Sequence, residues 1–263
     1  MGLRLLNMIF DTHAHYNDKQ FDADRIELLT SMKEQNVGTI LNVGASLQDC
    51  KDALELANTY NFIYAAVGVH PDSVGELTEE SFRWLSDLAK EKKVIAIGEI
   101  GLDYHWNVET LEIQKKWFIR QLELARELDL PLSIHSREAA KDTFQIMKEY
   151  GKGLRGSIHC YSYSLEMAKE YIKLGFHIGV GGVITFKNSR KLKETVEGIP
   201  MEWILLETDA PYLAPVPYRG KRNNSAYIDL VAQQIGNLKG FSKEEVIAIT
   251  EANAEQLFFS KGR

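Results

Sequence analysis

The chain has 263 residues, 44% hydrophobic and 26% charged, with a formal net charge of −6. That is enough to bury one sizeable core, and an α/β barrel of roughly 250 residues counts as one domain. It excludes a disordered chain and a protein that coats long nucleic acid through a broad basic surface, but not an enzyme that grips an end or a short strand.

No apolar run approaches the ~20 residues needed to cross a bilayer. Residues 3–6 are interrupted by Arg4 and lack a cleavage motif, so no signal peptide is expected. Residues 1–7 read as a leader, with Met8 an alternative start, and 8–263 as one domain. Cys50 and Cys160 form no CxxC pair and no disulfide framework, so a reducing cytoplasm is expected. Cys160 is expected to face away from its neighbour His159, as buried packing.

In chain order, short apolar runs at 8–11, 39–43, 63–69, 94–99, 131–135, 156–159, 176–180 and 203–207 predict strands. Each is nearly free of charge until its C-terminal end, as in parallel strands buried on both faces. Segments 22–35, 47–60, 79–90, 109–128, 138–150, 165–174 and 190–197 carry apolar residues at three-to-four spacing and predict helices. Two more follow the eighth strand, at 225–238 and 243–258, the latter opened by a capping-box spacing of Ser242 and Glu245. Eight alternations predict a single-domain (β/α)8 barrel with an extra C-terminal helix, in preference to an open doubly wound sheet.

Catalytic groups of such a barrel sit at the C-terminal ends of its strands. Those ends carry His13 and His15 in Asp11-Thr12-His13-Ala14-His15, then His70, Glu99, His135, His159 and Asp209. On an extended backbone, positions i and i+2 share a face, so His13 and His15 can reach one point. A lone histidine in an apolar strand is usually a hydrogen-bonded core residue. Here five of the seven histidines fall at strand ends beside two carboxylates that are costly to bury unpaired. A metal centre satisfies them together. Imidazole and carboxylate without thiolate suit Zn, Mn, Fe, Co or Ni better than Mg alone. Six ligand candidates exceed what one zinc takes from protein, which points to two divalent ions sharing a carboxylate.

The motifs Gly68-Val69-His70-Pro71, Gly98-Glu99-Ile100-Gly101-Leu102-Asp103-Tyr104, Ile134-His135-Ser136-Arg137 and Glu207-Thr208-Asp209-Ala210-Pro211-Tyr212-Leu213 extend this pattern. The chain resembles the TatD family of metal-dependent deoxyribonucleases, within the amidohydrolase superfamily, from Met8 onward. The resemblance implies a TIM barrel in which His13, His15 and Asp209 hold one metal, His135 and His159 the second, and Glu99 bridges them. His70 would contact phosphate or substrate. Many amidohydrolases acting on C–N or phosphotriester bonds bridge their metals with a modified Lys on strand four, and Glu99 in that place favours the nuclease-like branch. Where relatives often read Arg-Asn-Glu-Pro, this chain reads Arg222-Asn223-Asn224-Ser225. The missing Pro removes a preferred first helical residue and is expected to bear on loop rigidity and substrate preference.

The resemblance implies hydrolysis of DNA phosphodiesters from a 3′ end, and the expected protein is a cytoplasmic monomer using two divalent ions such as Mg, Mn or Zn. Water activated between the ions would attack phosphorus in line, with Asp209 accepting its proton. Arg137 and Arg222, with His70 and Lys187, are the expected phosphate donors, and Tyr104, Trp106 and Tyr161 the aromatics available to a base. An amide or ester hydrolase, such as a D-aminoacyl-tRNA deacylase, is the alternative enzyme. A metal-containing binding protein without turnover is the alternative outside enzymes.

Overall fold

A computed structural model describes residues 7–105 and 110–260. Of the expected leader only Asn7 falls within them, and Trp106 lies outside. Eight strands run parallel in the order β1 to β8: β1 (Ile9–Ala14), β2 (Val37–Val43), β3 (Ile63–Val67), β4 (Val94–Asp103), β5 (Leu132–Arg137), β6 (Gly156–Ile158), β7 (Phe176–Val180) and β8 (Ile204–Leu206). The helices that alternate with them are α1 (Arg25–Ser31), α2 (Leu47–Thr59), α3 (Glu79–Leu88), α4 (Leu111–Leu128), α5 (Ala140–Tyr150), α6 (Leu165–Lys173), α7 (Arg190–Gly198) and α8 (Ile228–Lys239). The added helix, α9 (Lys243–Phe259), starts at the Ser242–Glu245 capping box read from the sequence.

The barrel is brought nearly closed between β1 and the segment after β8. Ala14 bridges Ala210, His15 N–H donates to Ala210 O at 2.7 Å, and Asp209 N–H donates to His13 O at 2.9 Å. Thr12 Oγ1 adds a bond to Leu206 O. Closure removes the exposed strand edges an open sheet would present. It also joins the two segments that carry the first and the last candidate ligands.

Two layers of apolar packing hold this frame. The larger cluster lies between strands and helices. The smaller gathers Phe10, Leu41, Val43, Ala66 and Leu205 with Ala254, Leu257 and Phe258 of α9. Phe258 and Phe259 meet Phe10, and Phe259 meets Tyr64, close to the beginnings of β1 and β3. Asn253 donates to the carbonyls of Met201 and Ile204. The added helix therefore plugs the strand-start end and leaves the opposite mouth to function.

Expectation and structure differ mainly at strand ends. β1 and β4 run on to Ala14 and Asp103, so His13 and Glu99 lie inside strands rather than at their tips. Both strands carry register shifts at these places, between Asp11 and Ala14 and between Ile97 and Ile100. Such irregularities turn a side chain without ending the strand. Gly101, at φ +147°, lets β4 pass: a Cβ there would overlap His135 O. The expected first helix divides into α1 and a 3-10 turn that ends at the left-handed Asn36.

Candidate metal centre

Glu99 is the centre of the arrangement. Its Oε2 lies 3.6 Å from both His13 Nε2 and His15 Nε2. Its Oε1 lies 2.9 Å from His135 Nδ1, 3.7 Å from His159 Nε2 and 3.9 Å from His70 Nε2. Asp209 Oδ1 stands 3.4 Å from His15 Nε2, 3.8 Å from His159 Nε2 and 3.9 Å from His13 Nε2. The structure thus brings together all six expected ligands, with His70 beside them. The two remaining histidines stay apart: His105 pairs with Glu138, and His177 packs on Trp203.

The donor set fits divalent cations. His13 Nε2 and His15 Nε2 face each other at 3.1 Å while two carboxylates converge on the same space. In each of the groups His13–His15–Asp209, His13–Glu99–His159 and His70–Glu99–His135, the ligand atoms lie within 4.8 Å of one another. The outer ring nitrogens are tied down. His15 Nδ1 donates to Val43 O at 2.8 Å, which leaves Nε2 for the centre, and His13 Nδ1 meets Ser133 Oγ at 2.9 Å.

Partners that the sequence reading did not assign complete the frame. Asp103 Oδ2 sits 3.1 Å from His135 Nε2. Glu207 Oε1 sits 3.2 Å from His159 Nδ1 and accepts from Cys160 N–H at 2.6 Å. Gly179 makes room for that carboxylate, because a Cβ would collide with it. A signal was present for the first of these, since Asp103 follows Glu99 by four on a strand, a spacing that shares a face. Asp11 is a third such group. Fully buried, its carboxylate accepts from His13 N–H, Thr208 N–H, Thr208 Oγ1 and Ser225 Oγ at 2.6–3.2 Å. Burial pushes it up to about 7 despite the bonds from Ser225 and Thr208.

A family model described as TatD related DNase matches residues 10–259. The chain belongs to the TatD-related DNase family. It is 45% identical over 252 residues to the metal-dependent hydrolase YabD of Bacillus subtilis, covering 95% of this chain and 99% of the relative. It is 33% identical over 257 residues to the 3′-5′ ssDNA/RNA exonuclease TatD of Cronobacter sakazakii, covering 95% and 97%. The crystal structure of the TatD homologue YjjV from Escherichia coli superposes with a TM-score of 0.91 at 29% identity, covering 97% and 100%. This TatD-family barrel is a metal-dependent hydrolase.

The mouth of the TatD barrel is a cleft of ≈ 790 Å³ lined by the cluster, the fully buried His13 excepted, together with Arg137, Tyr212 and several rim carboxylates. The expected phosphate donors divide. His70 and Arg137 line it. Arg222 does not: its guanidinium donates to both oxygens of Asp24 and to Gln20 O, and stacks on Phe21. That arginine fastens the loop after β8 to the loop after β1, which corrects its expected substrate contact. Lys187 is exposed and outside the cleft lining. Tyr161 is buried with its hydroxyl on Ser164 O, and Tyr104 stands outside the cleft lining, so neither is offered to a base there. Cys160 is corrected as well. The chain leaves β6 at Ile158 and turns through φ +45° at Cys160, which breaks strand alternation and places the residue in the cleft wall. Burial, then the Asp209, Glu207 and Glu99 carboxylates, hold its thiol well above the usual range.

The departure at Ser225 has a structural consequence. Its N–H donates to Tyr16 Oη and its hydroxyl donates to Asp11. Pro could make neither bond, so this chain replaces a preset backbone angle with a buried polar link.

Charge in the cleft follows from burial against ion pairing. Burial opposes the cations of His135 and His159, yet Asp103 and Glu99 raise His135 to about 9, and Glu207, Asp209 and Glu99 raise His159 to about 10. His15 is raised too: burial opposes, and Asp209 and Glu99 prevail. The imidazoles of His135 and His159 are protonated at neutral pH, whereas a metal binds the neutral form. Cation loading at pH 7 should therefore release protons. Affinity should rise with pH and level off above about 9 to 10, where His135 and His159 are already neutral. Calorimetry in two buffers of different ionisation enthalpy counts the protons, and equal heats in both would contradict this charge state.

Proposed function

We propose that this chain is a nuclease that removes nucleotides from the 3′ end of single-stranded DNA, using two divalent cations. His13, His15 and Asp209 would hold one, His135 and His159 the other, with Glu99 shared. The observation that carries this reading is the division of Glu99: Oε2 faces His13 and His15, while Oε1 faces His135 and His159. When bound, the cations would supply Lewis acidity toward phosphoryl oxygens and water. The name of the Cronobacter sakazakii relative supports the substrate class.

The side chains have separable tasks. Burial opposes ionisation of Asp209, but the bond from His15 and the charges of His159, His15 and His13 hold it below the ordinary carboxylate range. Ionised and the more exposed of the two central carboxylates, it can accept the proton of the attacking water at its oxygen. Burial pulls His70 down to about 4, so it is neutral at pH 7. Its Nδ1 accepts from Asp72 N–H at 3.2 Å, so the proton resides on Nε2, which points into the cluster as a donor for a phosphoryl oxygen. Arg137 adds positive charge at the wall.

Incubation of 5′-end-labelled single-stranded DNA with Mg, Mn or Zn should give a ladder that shortens by one nucleotide from the 3′ end, abolished by a chelator. Inertness toward DNA with every metal, alongside turnover of an aminoacyl ester or amide, would overturn the reading.

A further inference from the structure

We infer that Tyr212, with Leu213, forms a subsite for the base of the terminal nucleotide, a step that rests on the proposed nuclease reading. Both residues line the cleft, and their exposures of 48% and 38% are unusual for large apolar side chains in this protein. Nine such residues are exposed among those described, and three of them, Tyr212, Leu213 and Val216, fall on one loop after β8. Scattered exposed apolar residues need no explanation, but a cluster at the lip of a polar cleft marks a contact surface.

The ring is held in place before any ligand arrives. Tyr212 N–H donates to Asp209 O at 2.7 Å, which ties the ring to a candidate metal ligand three residues away. The buried amide of Asn223 donates to Thr208 O and Tyr212 O, spanning that turn from both ends. The Tyr212 hydroxyl donates to Asp18 Oδ2 at 2.7 Å. A fixed aromatic face loses little side-chain entropy on stacking.

Charge decides which part of a nucleotide lies there. Asp18, Asp49 and Asp72 line the same cleft, and Asp18 adjoins the Tyr212 ring. A phosphate on this rim would meet carboxylates, whereas the more buried imidazoles and the cation site offer it a place further in. An uncharged planar base suits the lip. One phosphate inside and one base on Tyr212 is a footprint of a single nucleotide, which also matches action at an end.

Binding of thymidine 5′-monophosphate and of 2-deoxyribose 5-phosphate to the Mn-loaded protein tests this without turnover. The nucleotide should bind about 10-fold more tightly, the lower part of the range for stacking on an aromatic side chain. Tyr212→Ala should bring the ratio close to one by weakening the nucleotide alone, while Tyr212→Phe, which keeps the ring and loses the Asp18 bond, should keep most of it. Equal affinities in the wild type, or equal weakening of both ligands by Tyr212→Ala, would overturn the subsite and leave Tyr212 as a prop for Asp18. Binding of neither ligand would overturn the phosphate site as well, and so the nuclease reading.

Discussion

Glu99→Gln is expected to lower metal-dependent turnover by at least about 10²- to 10³-fold while the barrel stays folded. The substitution keeps the shape of the side chain, so the packing of β4 against β5 is undisturbed. It removes the one negative charge that stands within 3.9 Å of five imidazoles. It also places an amide NH2, which cannot ligate, against one half of the cluster. Burial alone would raise the Glu99 carboxyl, but the neighbouring imidazoles, His70 and His13 first and then His135, hold it well below its ordinary value. That balance marks a carboxylate sustained by cationic or metal-bound surroundings. Metal stoichiometry should fall from two toward one, read by elemental analysis after dialysis. Glu99→Asp, shorter by one methylene, should reach one half only and recover part of the metal with little turnover. Full turnover and full metal content in Glu99→Gln would remove the shared-carboxylate assignment.

Asp11→Ala is expected to cost about 2–5 kcal/mol of stability, because several buried donors lose their acceptor together. The hydroxyls of Thr208 and Ser225 have other acceptors within reach, at His13 O and Tyr16 Oη. The N–H of His13 donates to the Asp11 carboxylate at 3.2 Å, and it belongs to a candidate ligand. Asp11→Asn is the informative companion. An Asn oxygen can still accept from His13 and Thr208 N–H, and its NH2 can donate to the two hydroxyls, which then rotate to accept. Most stability should return with Asn. Chemical denaturation of both variants, with metal titration alongside, separates the effects. Equal losses in Ala and Asn would mean that the negative charge, not the bonding pattern, holds β1 to the segment after β8.

Much of this molecule was legible in one dimension. The alternation of apolar runs with amphipathic segments specified eight strands and nine helices, because burial on two faces and burial on one leave different periodicities. The ligand types at the strand ends were visible because a buried histidine or carboxylate is costly without a partner. Arg222 illustrates what was not. A basic residue in a loop near the mouth could as easily meet phosphate as Asp24, and only the fold brings Asp24, from far earlier in the chain, within 2.8 Å. Cys160 was misplaced because alternation was carried past the end of β6 into a turn with positive φ. Tyr212 went unread as a surface because its motif explains it equally well as packing.

Sequence by itself therefore determined the barrel, its added helix and the identity of the six converging groups, since these follow from periodicity and the cost of burial. Tertiary structure decided how those groups divide. Glu99 offers one oxygen to His13 and His15 and the other to His135 and His159 because barrel closure joins β1 to the segment after β8, while the irregular register of β4 turns Glu99 inward. Orientation of that kind depends on backbone placement between residues about a hundred positions apart, which local patterning does not encode.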